Sequence, residues 1–200
     1  LWFADGDWIG FATAYFAALA SGATAVVLPS DADDRTLRQL SDDAGLTATL
    51  AGPDSSPLGA LADLPHIRSG EEGKGHSRDS WPTPPADPAD VIFTSGSTGR
   101  PKPVAARQGY LSRLATAYRR RPAGPGVLAN GFSHSSALGT RVGLLYAVSR
   151  GITMATCVPF DAKAFLRLAG RHQAASALLP AAPAHTLLRA VEAEDAPRPG

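Results

Sequence analysis

The chain has 200 residues, 44% of them hydrophobic and 18% charged, with a net charge of +1. That length suits one domain with a real core, and nothing in the near-neutral balance suggests a nucleic-acid surface. Cys157 is the single cysteine, which excludes an internal disulfide and a cysteine-rich metal site.

No apolar run reaches the roughly 18 residues that span a bilayer, so a membrane is not expected as a partner. The N-terminal run lacks a basic region and a cleavage site, and cytoplasmic residence is the expectation. Leu1-Trp2-Phe3-Ala4 reads as a strand entered midway.

Asp7 is placed to cap a helix that carries Trp8, Phe11, Ala12, Tyr15, Phe16 and Leu19 at helical spacing, with Gly22 as its stop. This aromatic stripe reads as core rather than as a ligand pocket. Thr24 to Leu28 reads as a buried strand. A second helix follows from Asp34 to Ala44, ended by Gly45, and then a strand from Leu46 to Ala51. Strand and helix alternate through short loops, which predicts βαβ units around a mostly parallel sheet, an α/β fold. From Gly52 to Ala89 the prolines accumulate (Pro53, Pro57, Pro65, Pro82, Pro84, Pro85 and Pro88). That texture predicts a linker in which Leu58 to Leu64 and His66-Ile67 alone make short elements. His66 and His76 lack metal-ligand spacing and read as solvated loop residues, and Trp81 is available to pin the linker. The expected organisation is first βα units over 1–51, a linker over 52–89, and a phosphate loop with second βα units over 90–200.

Val91-Ile92-Phe93 is a buried strand leading into Thr94-Ser95-Gly96-Ser97-Thr98-Gly99-Arg100-Pro101-Lys102. Gly96 and Gly99 allow positive φ or close backbone approach. Four hydroxyls, a row of N–H donors and the Lys102 ammonium are the components of a phosphate cradle. A surface turn rich in Ser, Thr and Gly is the ordinary alternative. The loop lacks the Gly-Lys adjacency of a Walker loop and the three glycines of a dinucleotide fingerprint.

Beyond it, a helix is expected over Gln108 to Arg121 with Leu111, Leu114 and Tyr118 inward, the Arg119-Arg120-Arg121 run complementing the helix dipole. Val127 to Asn130 is the next strand. Gly131-Phe132-Ser133-His134-Ser135-Ser136 then leads to a helix through Leu138, Val142, Leu145 and Val148, stopped by Gly151. Ile152 to Val158 is a strand holding Cys157 in the core, and a helix capped by Asp161 runs to Arg171. A strand from Ala175 to Leu179 and a last helix opening at Pro183 complete the pattern. His134 sits between a strand end and a helix start, where open α/β sheets place ligands, though a lone histidine is more often structural.

The loop from Thr94 to Lys102 closely resembles the signature loop of the adenylate-forming (AMP-binding) superfamily, which includes acyl-CoA synthetases, nonribosomal-peptide adenylation domains and firefly luciferase. The resemblance extends from about Asp7 to Glu194. It implies part of the large N-terminal domain of such an enzyme, binding ATP with Mg2+ and activating a carboxylic acid as an acyl-adenylate, then as a thioester on CoA or a carrier protein. It further implies that Thr94, Ser95, Gly96, Ser97, Thr98, Gly99 and Lys102 hold the β- and γ-phosphates, Lys102 being the catalytic residue. Ser133-His134 stands where acyl- and aryl-CoA ligases often carry a Phe-His or similar pair, which implies that His134 lines the acyl pocket and favours a carboxylic-acid over an α-amino-acid substrate.

One departure is Pro103, where the family usually has Gly. The family's aromatic-Gly-x-Thr-Glu segment, ribose-binding Asp, Arg and C-terminal-domain lysine are not found, nor is any metal ligand. A ligase part that is inactive alone is one reading. The other is a truncated, non-catalytic relative acting as a scaffold, with a protein partner or a second copy across the core face left uncovered.

Overall fold

In a computed structural model of the chain, the residues described are 1–3, 6–52, 59–68, 88–94, 101–120 and 126–192. They form a mixed α/β fold in two compact units, Leu1–Leu111 and Ser112–Gly200. Among the described residues, no helix is long and apolar enough to cross a membrane.

In the first unit, helix α1 (Trp8–Ala20) starts at Asp7, whose carboxylate accepts from the Gly10 N–H at 2.9 Å. Strand β1 (Ala25–Val27), helix α2 (Asp34–Ala44) and strand β2 (Thr49–Ala51) follow. Helix α2 is capped by the Asp33 carboxylate and ends at Gly45 with φ 61°, a left-handed geometry that favours glycine. A 3₁₀ turn (Gly59–Leu61) and strand β3 (His66–Arg68) come next, then β4 (Asp90–Thr94) and β5 (Lys102–Ala106).

Strand β4 is central, parallel to β1 and antiparallel to β5, while β2 and β3 pair in parallel. The first residues connect these sheets. The Leu1 carbonyl accepts from Leu28 N–H at 3.0 Å, and Trp2 N–H donates to Leu50 at 3.0 Å. Of the strand-like start expected for Leu1 to Ala4, residues 1–3 are described, and they give a single parallel bridge between Trp2 and Ala51.

Side chains alternate across a strand, so β1 and β4 bury two faces. Val26, Leu28 and Phe93 meet Leu37, Leu40 and Leu61 on the α2 side. The other face belongs to α1, where Phe3, Trp8, Phe11 and Tyr15 are buried. Phe11 packs edge-on to Phe3 at 6.0 Å and stacks on Tyr15 at 5.8 Å. Burying each such ring stabilises by roughly 1.5–3 kcal/mol.

His66 is not a solvated loop residue. It lies in β3 opposite Thr49, half-buried, with Nδ1 2.9 Å from the Thr49 hydroxyl. Parallel pairing with β2 draws it in. His76 and Trp81 lie outside the described residues.

Helix α3 (Gln108–Arg120) has Leu111 and Tyr118 buried, as its spacing predicts. At its end, the Arg150 guanidinium donates to the carbonyls of Tyr118 and Arg119, both at 3.4 Å, so a cation distant in sequence helps to cap this helix.

The second unit is built on β6 (Val127–Asn130), flanked in parallel by β7 (Thr153–Thr156) and β8 (Ala174–Leu178). A π-helical segment (Leu138–Leu144) runs directly into α4 (Leu145–Arg150) between β6 and β7. Helix α5 (Ala162–Arg171), capped by Asp161, links β7 to β8, and α6 (Ala181–Glu192) follows. Cys157 lies past the end of β7 and is half-buried, not in the core. Of the apolar residues that mark this helix in the sequence, Leu138 and Val148 are exposed, while Thr140, Arg141, Leu144 and Ala147 are buried. A π-turn holds more residues than 3.6, which rotates the buried face away from the spacing read in the sequence.

Candidate functional site

The apolar run Val91-Ile92-Phe93 makes β4, and β4 carries the chain to Thr94. The chain returns antiparallel, so Lys102 opens β5 directly opposite Thr94. The Thr94 hydroxyl donates to the Lys102 carbonyl at 3.4 Å, and both side chains are exposed. Ser95, Gly96, Ser97, Thr98 and Gly99 lie outside the described residues. Lys102 thus belongs to a strand rather than to a loop. Pro103 does not interrupt the pairing: among the described residues β5 is the outer strand of its sheet, and the register runs unbroken through Phe93 and Pro103.

His134 belongs to the second unit. Strand β6 is central and its two neighbours lie on opposite sides, so the strand order reverses at its C-terminal end, where open sheets form ligand crevices. Asn130 ends β6, fully buried, and its amide closes on Phe132, accepting from the N–H at 3.2 Å and donating to the carbonyl at 3.0 Å. The turn that follows is polar. The Ser133 and Ser135 hydroxyls are 2.9 Å apart, and Ser133 Oγ accepts from the Ser135 N–H at 3.2 Å. His134 is 1% exposed within this turn. Its carbonyl accepts from the buried Thr140 hydroxyl at 2.5 Å. The π-helical segment begins four residues later, and such segments are frequent at functional sites.

Gly139 is the tightest point. A Cβ there would lie 2.1 Å from the Ser133 carbonyl oxygen, so glycine alone lets the helix reach the turn.

The structure therefore brings Thr94 and Lys102 together in the first unit and holds His134 in a buried polar turn in the second. Sequence reasoning passed over three buried groups. Asn130 counts in the pattern only as the end of a strand, although an amide closing an apolar run is a signal, and Thr140 carries no signal of its own. The third is Asp90, fully buried, whose carboxylate accepts from Tyr15 Oη at 2.6 Å. Among the described residues no group of three or more His, Cys, Asp or Glu gathers to hold a metal.

No curated protein matches the chain. Solved structures do. A malonyl-CoA ligase in a ternary product complex with methylmalonyl-CoA and AMP is similar with a TM-score of 0.80 and 24% identity, over 96% of this chain and 42% of that one. The O-succinylbenzoate coenzyme A synthetase of Bacillus subtilis in complex with AMP is similar at 0.77 and 18%, over 94% of this chain and 50% of its own. That synthetase is also solved with ATP and a magnesium ion. The amide bond synthetase McbA from Marinactinospora thermotolerans gives 0.70 and 22%, over 88% and 38%. The chain thus spans half or less of the length of these ligases, and it shares their fold. The model of the AMP-binding enzyme family matches residues 6–198, nearly the whole sequence, and the chain belongs to that family.

Proposed function

We propose that this chain supplies the triphosphate-holding hairpin and part of the acyl pocket of an ATP-dependent ligase, one that activates a carboxylic acid as an acyl-adenylate and passes it to a thiol of CoA or a carrier protein. One observation carries this reading. In a chain that belongs to the AMP-binding family, the β4–β5 register sets Lys102, with its side chain exposed, opposite Thr94, so that the two bracket the Ser-Gly-Ser-Thr-Gly segment in sequence.

In the proposed step a substrate carboxylate oxygen bonds to the α-phosphorus of ATP. The bond from that phosphorus to the bridging oxygen breaks, and pyrophosphate leaves with the electron pair. The work left to the protein is positioning and charge stabilisation. Lys102 would hold the β- and γ-phosphates and meet the charge that grows on the leaving pyrophosphate. The loop from Thr94 to Gly99 would add hydroxyl and N–H donors. His134 would line the acyl pocket, with its backbone fixed by Thr140.

When bound, Mg2+ supplies charge neutralisation between phosphates. Among the described residues no group of three or more His, Cys, Asp or Glu gathers, and no step here runs through the ion. Cytoplasmic residence belongs to the same proposal. A protein partner or a second copy across an uncovered face has no supporting observation, although β8 exposes Ala175, Ser176 and Ala177.

Calorimetry of the 200-residue chain with ATP·Mg2+ tests the reading. Measurable binding that is lost in Lys102→Ala is the expected result. No binding by the unaltered chain overturns it and leaves the scaffold reading.

A further inference from the structure

The buried Tyr15–Asp90 bond has no place in the chemistry above, yet it lies on the strand that carries Thr94. Tyr15 is 1% exposed and Asp90 0%. Asp90 is the first residue of β4, facing Ala25 of β1 on one side and Ala106 of β5 on the other. Asp90, Ile92 and Thr94 share one face of β4 by alternation. Their partners Ala106, Val104 and Lys102 share that face across the ladder. It is the face on which α1 lies, because Tyr15 reaches Asp90 there at 2.6 Å. One surface therefore holds the Tyr15–Asp90 bond at its closed end and Lys102 at its open end, four residues or about 13 Å apart.

Apolar contacts alone tolerate sliding of a strand along its own axis, whereas an O–H···O bond of this length does not. A buried polar pair is seldom needed for stability, since well-packed apolar side chains of the same volume serve as well. Its distinctive effect is directional. We propose that Tyr15 and Asp90 are positioning residues, whose bond fixes β4 against α1 and so sets where Thr94 and Lys102 stand for phosphate binding. The proposal rests on the ATP reading above.

The test is the ATP·Mg2+ affinity of the full 200-residue chain by calorimetry, beside its melting temperature. Tyr15→Phe is expected to weaken binding about tenfold, and Asp90→Asn, which keeps an acceptor for the phenol, to stay within about twofold. Leu61→Ala, on the opposite face of the sheet, is expected to lower the melting temperature without changing affinity. Should Tyr15→Phe not fold, the double variant Tyr15→Phe/Asp90→Leu fills the same space with apolar groups and is expected to fold and bind about tenfold more weakly. Wild-type affinity in either of these variants, with binding still lost in Lys102→Ala, overturns the positioning role and leaves the ATP reading intact. Absence of ATP binding by the unaltered chain ends both.

Discussion

Thr94 and Lys102 stand exposed at the open end of an outer hairpin, while Asn130, His134 and Thr140 are sealed inside the turn that follows β6. The first pair is held by strand register and owes little to the core. In the second group, each of the three is tied by a side chain or carbonyl to a neighbour within the turn and its helix. An exposed ammonium keeps its hydration and lends its charge to whatever binds, so it is replaceable without unfolding the sheet. A buried hydroxyl or amide has no water to return to, so its loss is felt by the fold itself. The first unit thus holds its exposed ammonium by strand register, and the second holds its buried polar groups by local hydrogen bonds.

This contrast breaks most sharply at Gly139. Gly139→Ala drives a methyl into the Ser133 carbonyl, and chemical denaturation should show a loss of about 3 kcal/mol, the upper end for overpacking. Thr140→Val removes the donor to the His134 carbonyl and should cost about 1–3 kcal/mol by the same measurement. Lys102→Ala should sharpen the comparison from the other side. Its effect on stability should stay within about 0.5 kcal/mol, measured in parallel with the loss of ATP binding.

The smallest effect is expected at Asp33. Hydrogen bonds from the Thr36 side chain and then from its backbone N–H hold this carboxyl below its usual range. A depressed folded-state value means the contribution is complete above the unfolded value of about 3.9 and is lost as pH falls through the folded one. Asp33→Ala should therefore lower the melting temperature slightly at neutral pH, and the gap from wild type should close in strong acid.

Elements that announce themselves locally were legible. Helix α2 carries an apolar stripe and a glycine stop, α5 an Asp cap, and β6 a bare apolar run, and each lies where its residues put it. Strand β5 was not legible. Lys-Pro-Val-Ala-Ala has no alternation and includes a proline, and it becomes a strand only because β4 offers an edge. Asp90 was hidden for a related reason, since the tyrosine that accounts for a carboxylate in an apolar run is 75 residues away. The π-helical turn was invisible because periodicity counts residues per turn and has no sign for one extra. Of the candidate site, the motif was plain in the residues, whereas the buried polar supports around His134 depend on non-periodic closures of the backbone.

Pro103 has a consequence for the life of the chain in a crowded solution. An outermost strand is a template on which a stranger's strand can assemble, and lysine and proline are the residues that discourage it. Lys102 and Pro103 begin such a strand side by side. Pro103 is therefore a residue of the kind that discourages such pairing, and replacing it by a β-branched residue is expected to promote association of the chain before it lowers stability.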